Sequence, residues 1–291
     1  MVPVGLGYVA DAQQRLFWGY LLASALVAAV YVRFCPHRRG ALLSRDVWWH
    51  PSARLDYLYF PLISLIKAAA VAPLLIGAGD VALGTVRMLH DLCGYRAPLA
   101  WDRGTIAAGY TLALFVASDF TRYWLHRAMH TVPLLWRFHA VHHSAERLNP
   151  LTFYRVHPVE NLLFGLRYAL VAGGVTGVFI YFFGARLGIV QIAGANLFVF
   201  AFALAGSNLR HTHLPVRFGR AAERWFVSPY MHQIHHSRDG MRRNYGGALA
   251  LWDRLFGTLD VRETQPLHFG GGGAHRTIGA LFFKPFKGII K

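Results

Sequence analysis

The chain has 291 residues, 55% of them hydrophobic and only 15% charged, with a mean hydropathy of +0.33. That balance is too apolar for an ordinary soluble domain and predicts an integral membrane protein. Lys and Arg outnumber Asp and Glu by 30 to 14, a net charge of +16; no nucleic-acid motif accompanies it, so anionic lipid headgroups are its expected counterpart rather than nucleic acid.

In chain order, the uncharged run Leu16 to Val32 is the first predicted span, long enough to cross most of a bilayer core of roughly 30 Å. No cationic segment precedes it and Arg33 follows, the pattern of a retained anchor rather than a cleaved signal. A second span is expected from Tyr57 to Gly79, interrupted by Lys67 and Pro73, and a third from Gly104 to about Leu125. The segment from Asp80 to Arg103 between them reads as an outer loop. Beyond the third span, the uncharged stretch Tyr168 to Ala185, a turn at Gly184 to Gly188 and the apolar run Leu187 to Leu209 read as a helical hairpin.

The expected fold is therefore an all-α integral membrane protein of about five transmembrane helices. Arg33, Arg38, Arg39, Arg45 and Arg54 crowd one loop, and Arg122, Arg127, Arg137, Arg147 and Arg155 another, so both are assigned to the cytoplasm. The C-terminal third returns to the same side. Cys35 and Cys93 fall on opposite faces and should not pair. The tail Leu281 to Lys291, with Phe282, Phe283 and Phe286, reads either as an interfacial anchor after a flexible Gly270 to Gly273 linker or as a plain chain end. The whole of 1–291 reads as one domain, with a motif-bearing core at about 105–260 and a C-terminal tail at 268–291. Arginine predominance favours a bacterial inner membrane, with the endoplasmic reticulum as the alternative.

Histidine carries the chemistry. Of 16 histidines, nine fall in short clusters: His126 and His130; His139, His142 and His143; His211; His232, His235 and His236. HxxxH and HxxHH spacings match the helical repeat, so each cluster can aim its imidazoles from one face toward a common point. Isolated histidines such as His37, His50, His90, His268 and His275 are ordinary surface or core residues by the same logic. Nine neutral nitrogen donors exceed what one four-coordinate ion uses, so two metals are expected, on the cytoplasmic side. A dinuclear iron centre fits that set better than a hydrolytic zinc site, although zinc can occupy the same imidazoles. Asp119 lies seven residues before His126 on the same helix face and either orients a ligating imidazole or faces a polar cavity or Arg122. His157, in a His-Pro pair, is a tenth ligand, a substrate contact or a helix-boundary residue. His213 is two residues from His211, on a different helix face, and is the less favoured ligand of the two. Phe153, Tyr154, Tyr181, Phe182, Phe198, Phe200 and Phe202 are candidates to line a lipid passage. A divalent metal transporter and a zinc-dependent lipid hydrolase are the competing readings.

The stretches DFTRYWLHRAMH (Asp119 to His130), RFHAVHHS (Arg137 to Ser144) and HQIHHSRDGMRRNYGGALALWDRLFGT (His232 to Thr258) resemble the fatty acid hydroxylase superfamily, also called the sterol desaturase family. RHTHLPVRFG followed by SPYMHQIHHS is similar to its alkylglycerol monooxygenase-like branch, where a single histidine stands at the place of His211. The resemblance implies an all-helical, non-haem di-iron membrane enzyme with a cytosolic histidine-rich helical cap and all nine clustered histidines as ligands. It further implies O2-dependent hydroxylation or desaturation of a membrane lipid, with electrons from a separate reductase. Asn244, Tyr245, Trp252 and Asp253 match the closing motif, with a role in shaping the site.

Overall fold

The computed structural model describes residues 4–184, 187–192, 195–273 and 275–287, and they are mostly helical. Ala185, Arg186 and the end of the expected tail, residues 288–291, lie outside the described residues. Among the described residues, two stretches are long and apolar enough to cross a membrane, Pro51–Cys93 and Pro158–Phe183, and the apolar helix Trp18–Phe34 is shorter.

The first of these stretches is not one straight rod. His50 caps its start, its Nδ1 accepting the Ser52 N–H at 3.2 Å, and Pro51 sits at the first helical position, where no N–H is needed. The α-helix runs to Ile66, loosens into a π turn at Lys67–Val71 and tightens into a 3-10 turn at Ala72–Leu74, where Pro73 denies the ladder a donor. A new helix, Ala78–Cys93, then takes up most of the segment expected to be an outer loop.

Small residues explain that difference. Gly165, Ala169, Gly173 and Gly177 recur every four residues along Pro158–Phe183 and form a flat stripe. The Ala78–Cys93 helix lies against it so closely that a Cβ on Gly173 would fall 2.5 Å from the Val81 Cβ, and one on Gly177 2.5 Å from the Thr85 Cβ. Glycine-lined contact of this kind pulls helices together where the hydrophobic effect cannot. Charge counting along Asp80 to Arg103 does not register a packing stripe eighty residues away.

The Arg103–Thr131 helix, capped by Asp102 accepting from Thr105 N, packs on the same Pro158–Phe183 helix, with Tyr110 Oη 2.7 Å from Thr176 Oγ1. It outruns the expected third span by two turns, and those turns carry His126 and His130. The run Leu187 to Leu209 is not a spanning helix. It holds an antiparallel pair, Gln191–Ile192 with Ala195–Asn196, an eight-residue helix Leu197–Leu204, and a 3-10 turn Ser207–His211 entered through Gly206 at φ +93°. Its polar groups turn to the neighbouring helix: Val190 N–H donates to Thr111 Oγ1 and Asn196 Nδ2 to the Thr111 carbonyl. Hydropathy alone reads those few polar residues as incidental.

The tail is built into the core. Leu281 is fully buried with Leu55, Tyr59, Ile63 and Val141, while Phe283 faces outward. The glycines before it are no free linker, since Gly272 N–H donates to the His143 carbonyl at 3.0 Å and a Cβ there would lie 1.9 Å from the Ala140 oxygen. Cys35 and Cys93 are free thiols.

The glycine stripe has a direct test. Gly177→Val should cost at least about 1–3 kcal/mol through overpacking and lower the thermal midpoint of the detergent-solubilised protein. Gly174→Ala meets nothing within 4 Å and should leave the midpoint unchanged or slightly raised.

Candidate metal centre

Three helices and one turn deliver the clustered histidines. Val132 ends the Arg103–Thr131 helix and Pro133 starts the next, so the chain turns between His130 and the Pro133–His143 helix that carries His139, His142 and His143. Ser228 caps Pro229–His236 by accepting the Met231 N–H, aiming His232, His235 and His236 inward. His211 ends the 3-10 turn after Gly206.

All nine are buried, and they form two groups. His126, His130, His139, His143 and His235 make one; His142, His211, His232 and His236 make the other. Within each group the ligand atoms lie within 4.8 Å of one another and could hold a metal ion. The groups adjoin: the His143 ring stacks on His236 with centroids 4.5 Å apart.

Proton bookkeeping shows what the groups require. His126 Nδ1 is 2.8 Å from the Tyr245 carbonyl, His235 Nδ1 2.8 Å from the Arg243 carbonyl and His142 Nδ1 3.3 Å from the Arg155 carbonyl. A carbonyl only accepts, so each Nδ1 carries the hydrogen and each Nε2 of the neutral ring keeps a bare lone pair. His139 Nδ1 likewise faces the Glu160 carboxylate at 2.9 Å. The Nε2 atoms of His126 and His139 nevertheless stand 3.2 Å apart, two lone pairs face to face in a buried space. In the second group, Nε2 of His211 is 3.3 Å from His142, 3.1 Å from His236 and 3.2 Å from His232. Two donors on one ion at bonds of about 2.0–2.1 Å would stand roughly 2.9–3.4 Å apart, so the spacing fits a shared cation. Among the described residues His130 Nε2, His143 Nε2 and His235 Nε2 are buried with no hydrogen-bond partner, which suits nitrogens that ligate a metal.

Burial also keeps the rings neutral. It pushes His142 and His235 down to about 3, with the neighbouring His139 adding to the effect. Burial and neighbouring imidazoles drive His143, His211, His232 and His236 well below the usual range too. At neutral pH these nitrogens are free to ligate.

The expected supporting residues divide. Asp119 does not touch His126: Oδ1 accepts from Ala248 N, and Oδ2 from Leu249 N and Trp252 Nε1. Asp253 accepts from the N–H groups of Tyr245 and Gly246 and from Thr258, and burial raises it to about 6. Asn244, at φ 53°, ties Met231 to Asp260 through its amide. These three hold the 244–249 loop in place, and that loop supplies the carbonyl for His126. His157 lies in neither group. Its Nδ1 caps the Pro158–Phe183 helix through Val159 N, and its Nε2 donates to the Phe282 carbonyl, which makes it a helix-boundary residue. His213 also lies outside both groups, its ring edge-on to Trp48 at 6.4 Å. Among the passage aromatics, Phe153 is 5.9 Å from the His211 ring and Phe202 lines a nearby cavity. Tyr181 and Phe182 pack against His90 and Arg96 at the opposite end of their helix.

Sequence reasoning missed Glu160, Asp56 and the role of Arg155. Arg155 counts in sequence as a cytoplasmic charge, yet it is buried and paired with Asp56 at 2.5 Å. Asp56 also accepts from Asn149 and Thr152, so one carboxylate shapes the turn whose carbonyl orients His142. Glu160 stands three residues past His157 in HPVEN, on the first turn of its helix, a spacing that could have drawn notice.

A family model described as fatty acid hydroxylase matches residues 111–258, about half the chain. An ornithine lipid hydroxylase of Rhizobium tropici is 34% identical over 54% of this chain and 44% of its own length. An alkylglycerol monooxygenase of Xenopus tropicalis is 30% identical over 54% of this chain and 31% of its own length. A very-long-chain aldehyde decarbonylase of Oryza sativa subsp. japonica is 33% identical over 60% of this chain and 61% of its own length. The match thus spans about a third to three fifths of these relatives. No solved structure matches the chain.

Glu160→Gln keeps the shape but removes the charge behind His139. Metal affinity of the first group, measured by chelator competition, should fall about 10- to 100-fold with the thermal midpoint of the metal-free protein retained.

Proposed function

Because the chain belongs to the fatty acid hydroxylase family, we propose that it is a membrane oxidoreductase that uses O2 to hydroxylate or desaturate a C–H bond of a sterol, fatty acyl, alkyl-ether or related lipid. The observation that carries this reading is the donor set: two adjoining buried groups of five and four residues, all of them histidine. His126, His130, His139, His143 and His235 would hold one iron ion and His142, His211, His232 and His236 the other, with zinc able to occupy the same nitrogens in purified protein. Bound there, the iron pair supplies the redox and Lewis-acid chemistry of O2 activation, with electrons from a separate reductase.

The chain's own residues do the positioning. Tyr245, Arg155 and Arg243 carbonyls and the Glu160 carboxylate fix four imidazole orientations. Val141, Met231 and Ile234, all fully buried, back the histidine helices and keep water from behind them. A hydrolytic zinc site needs three ligands, an open water position and a free carboxylate base, whereas Glu160 is committed to His139. A metal transporter needs ligands spread through the membrane thickness, and these nine gather in one place.

In this reading the whole of 1–291 is one catalytic domain with its motif-bearing core at about 105–260. It is a multi-pass protein, of a bacterial inner membrane by its arginine usage, with the histidine groups at the cytoplasmic edge. The 187–209 segment enters the bilayer against Thr111 and returns, which its bonds to that helix make tolerable.

Purified protein given iron, reductant and a membrane lipid extract should consume O2 and yield lipids heavier by one oxygen atom or lighter by two hydrogens. Chelator-sensitive lipid cleavage without oxygen uptake would overturn the oxidative reading.

A further inference from the structure

Beside Gly247 and Ala248 of the 244–249 loop lies a cavity of about 180 Å³, lined also by Arg15, Ser118, Asp119, Arg122, Arg167 and Phe202 among others. That is about six times the ~30 Å³ share of a liquid water, room for a small polar headgroup. Three arginines line it, with Arg122 near enough to act on the charge of both others, and among the described residues none of the three makes an ion pair. Asp119 is the acid on the wall, and both its oxygens are taken by Ala248, Leu249 and Trp252. Glu160, the other acid whose charge acts on Arg122, is bound to His139.

The arginines are held from behind by neutral groups. Arg167 Nη1 donates to the Ser118 carbonyl at 2.8 Å and to Thr121 Oγ1 at 2.9 Å, while its Nε is buried without a partner. Arg15 donates to the Ser207 carbonyl at 3.3 Å and lies over the Phe153 ring at 4.7 Å. Arg122 lies over the Phe164 ring at 5.4 Å. Burial and the charge of Arg122 lower Arg15 to about 10, which still leaves it cationic at neutral pH. Three half-buried cations around one space call for an anion with several acceptor oxygens, which guanidinium forks recognise.

We infer that this cavity binds the anionic headgroup of the lipid substrate, a phosphate or carboxylate, with Arg15, Arg122 and Arg167 as its ligands. The word substrate rests on the oxidative reading above; the binding does not. Phe153, beneath Arg15, is 5.9 Å from the His211 ring, so the headgroup lies within reach of the histidine groups and its chain can run past them.

The test compares three probes on the zinc-loaded full chain in neutral detergent: palmitoyl glycerol phosphate, monopalmitoylglycerol and inorganic phosphate. The phosphate amphiphile should bind at least about tenfold more tightly than the neutral glyceride or free phosphate. Arg122→Gln with Arg167→Gln should erase most of that preference, and the corresponding Lys pair should keep part of it. The wild-type comparison needs no variant, so misfolding of one cannot shield the inference. Equal binding of the charged and neutral amphiphiles would overturn it, and inorganic phosphate binding as tightly as the amphiphile would overturn the lipid assignment. Because no iron, O2 or turnover is involved, a failure here leaves the oxidative reading standing. Absent oxygen uptake with intact headgroup preference would fault that reading instead.

Discussion

Bare imidazole lone pairs facing one another in a dry interior are the constraint on which this fold turns. His126 and His139 both keep their hydrogen on Nδ1, and their Nε2 atoms stand 3.2 Å apart. Neither can donate to the other, and burial denies them water. A cation between them converts the repulsion into two bonds; in the other group His211 Nε2 faces the Nε2 atoms of His142, His232 and His236, and a single hydrogen there could serve one of the three at most. The arrangement is therefore costly without metal and cohesive with it.

Much of the remaining buried charge serves that geometry indirectly. Asp119 and Asp253 spend their oxygens on backbone N–H groups of the 244–249 loop, which fixes the Tyr245 carbonyl behind His126. Asp56 and Arg155 do the same for the turn behind His142. Gly272 presses the tail against the end of the Pro133–His143 helix, where any side chain would displace the Ala140 and His143 backbone. Distant segments thus converge on the imidazoles through backbone contacts that conserve orientation to within a hydrogen bond.

What the sequence discloses follows from the range of the interactions involved. HxxxH and HxxHH are local spacings on helices, so the convergence of His126 with His130 is legible directly, whereas each HxxHH is split between the groups, His142 joining the second and His235 the first. The closing motif is legible as a unit for the same reason. Asp119 shares a face with His126, yet its partners are 129 to 133 residues away, and same-face spacing pointed to the wrong acceptor. Glu160, Asp56 and Arg155 act only through tertiary contacts and carry no periodic signal. The fold shows the same division: the apolar helices are found by composition, while the glycine stripe that docks Ala78–Cys93 and the polar anchors that fold back 187–209 are not.

The most direct measurement is the metal content of protein purified with iron, for the wild type and for His143→Ala and His232→Ala. The account expects two metal ions per wild-type chain and about one in His232→Ala, whose group is left with three donors, while in His143→Ala the first group still keeps four. One ion or none in the wild type, or unchanged content in His232→Ala, would contradict it.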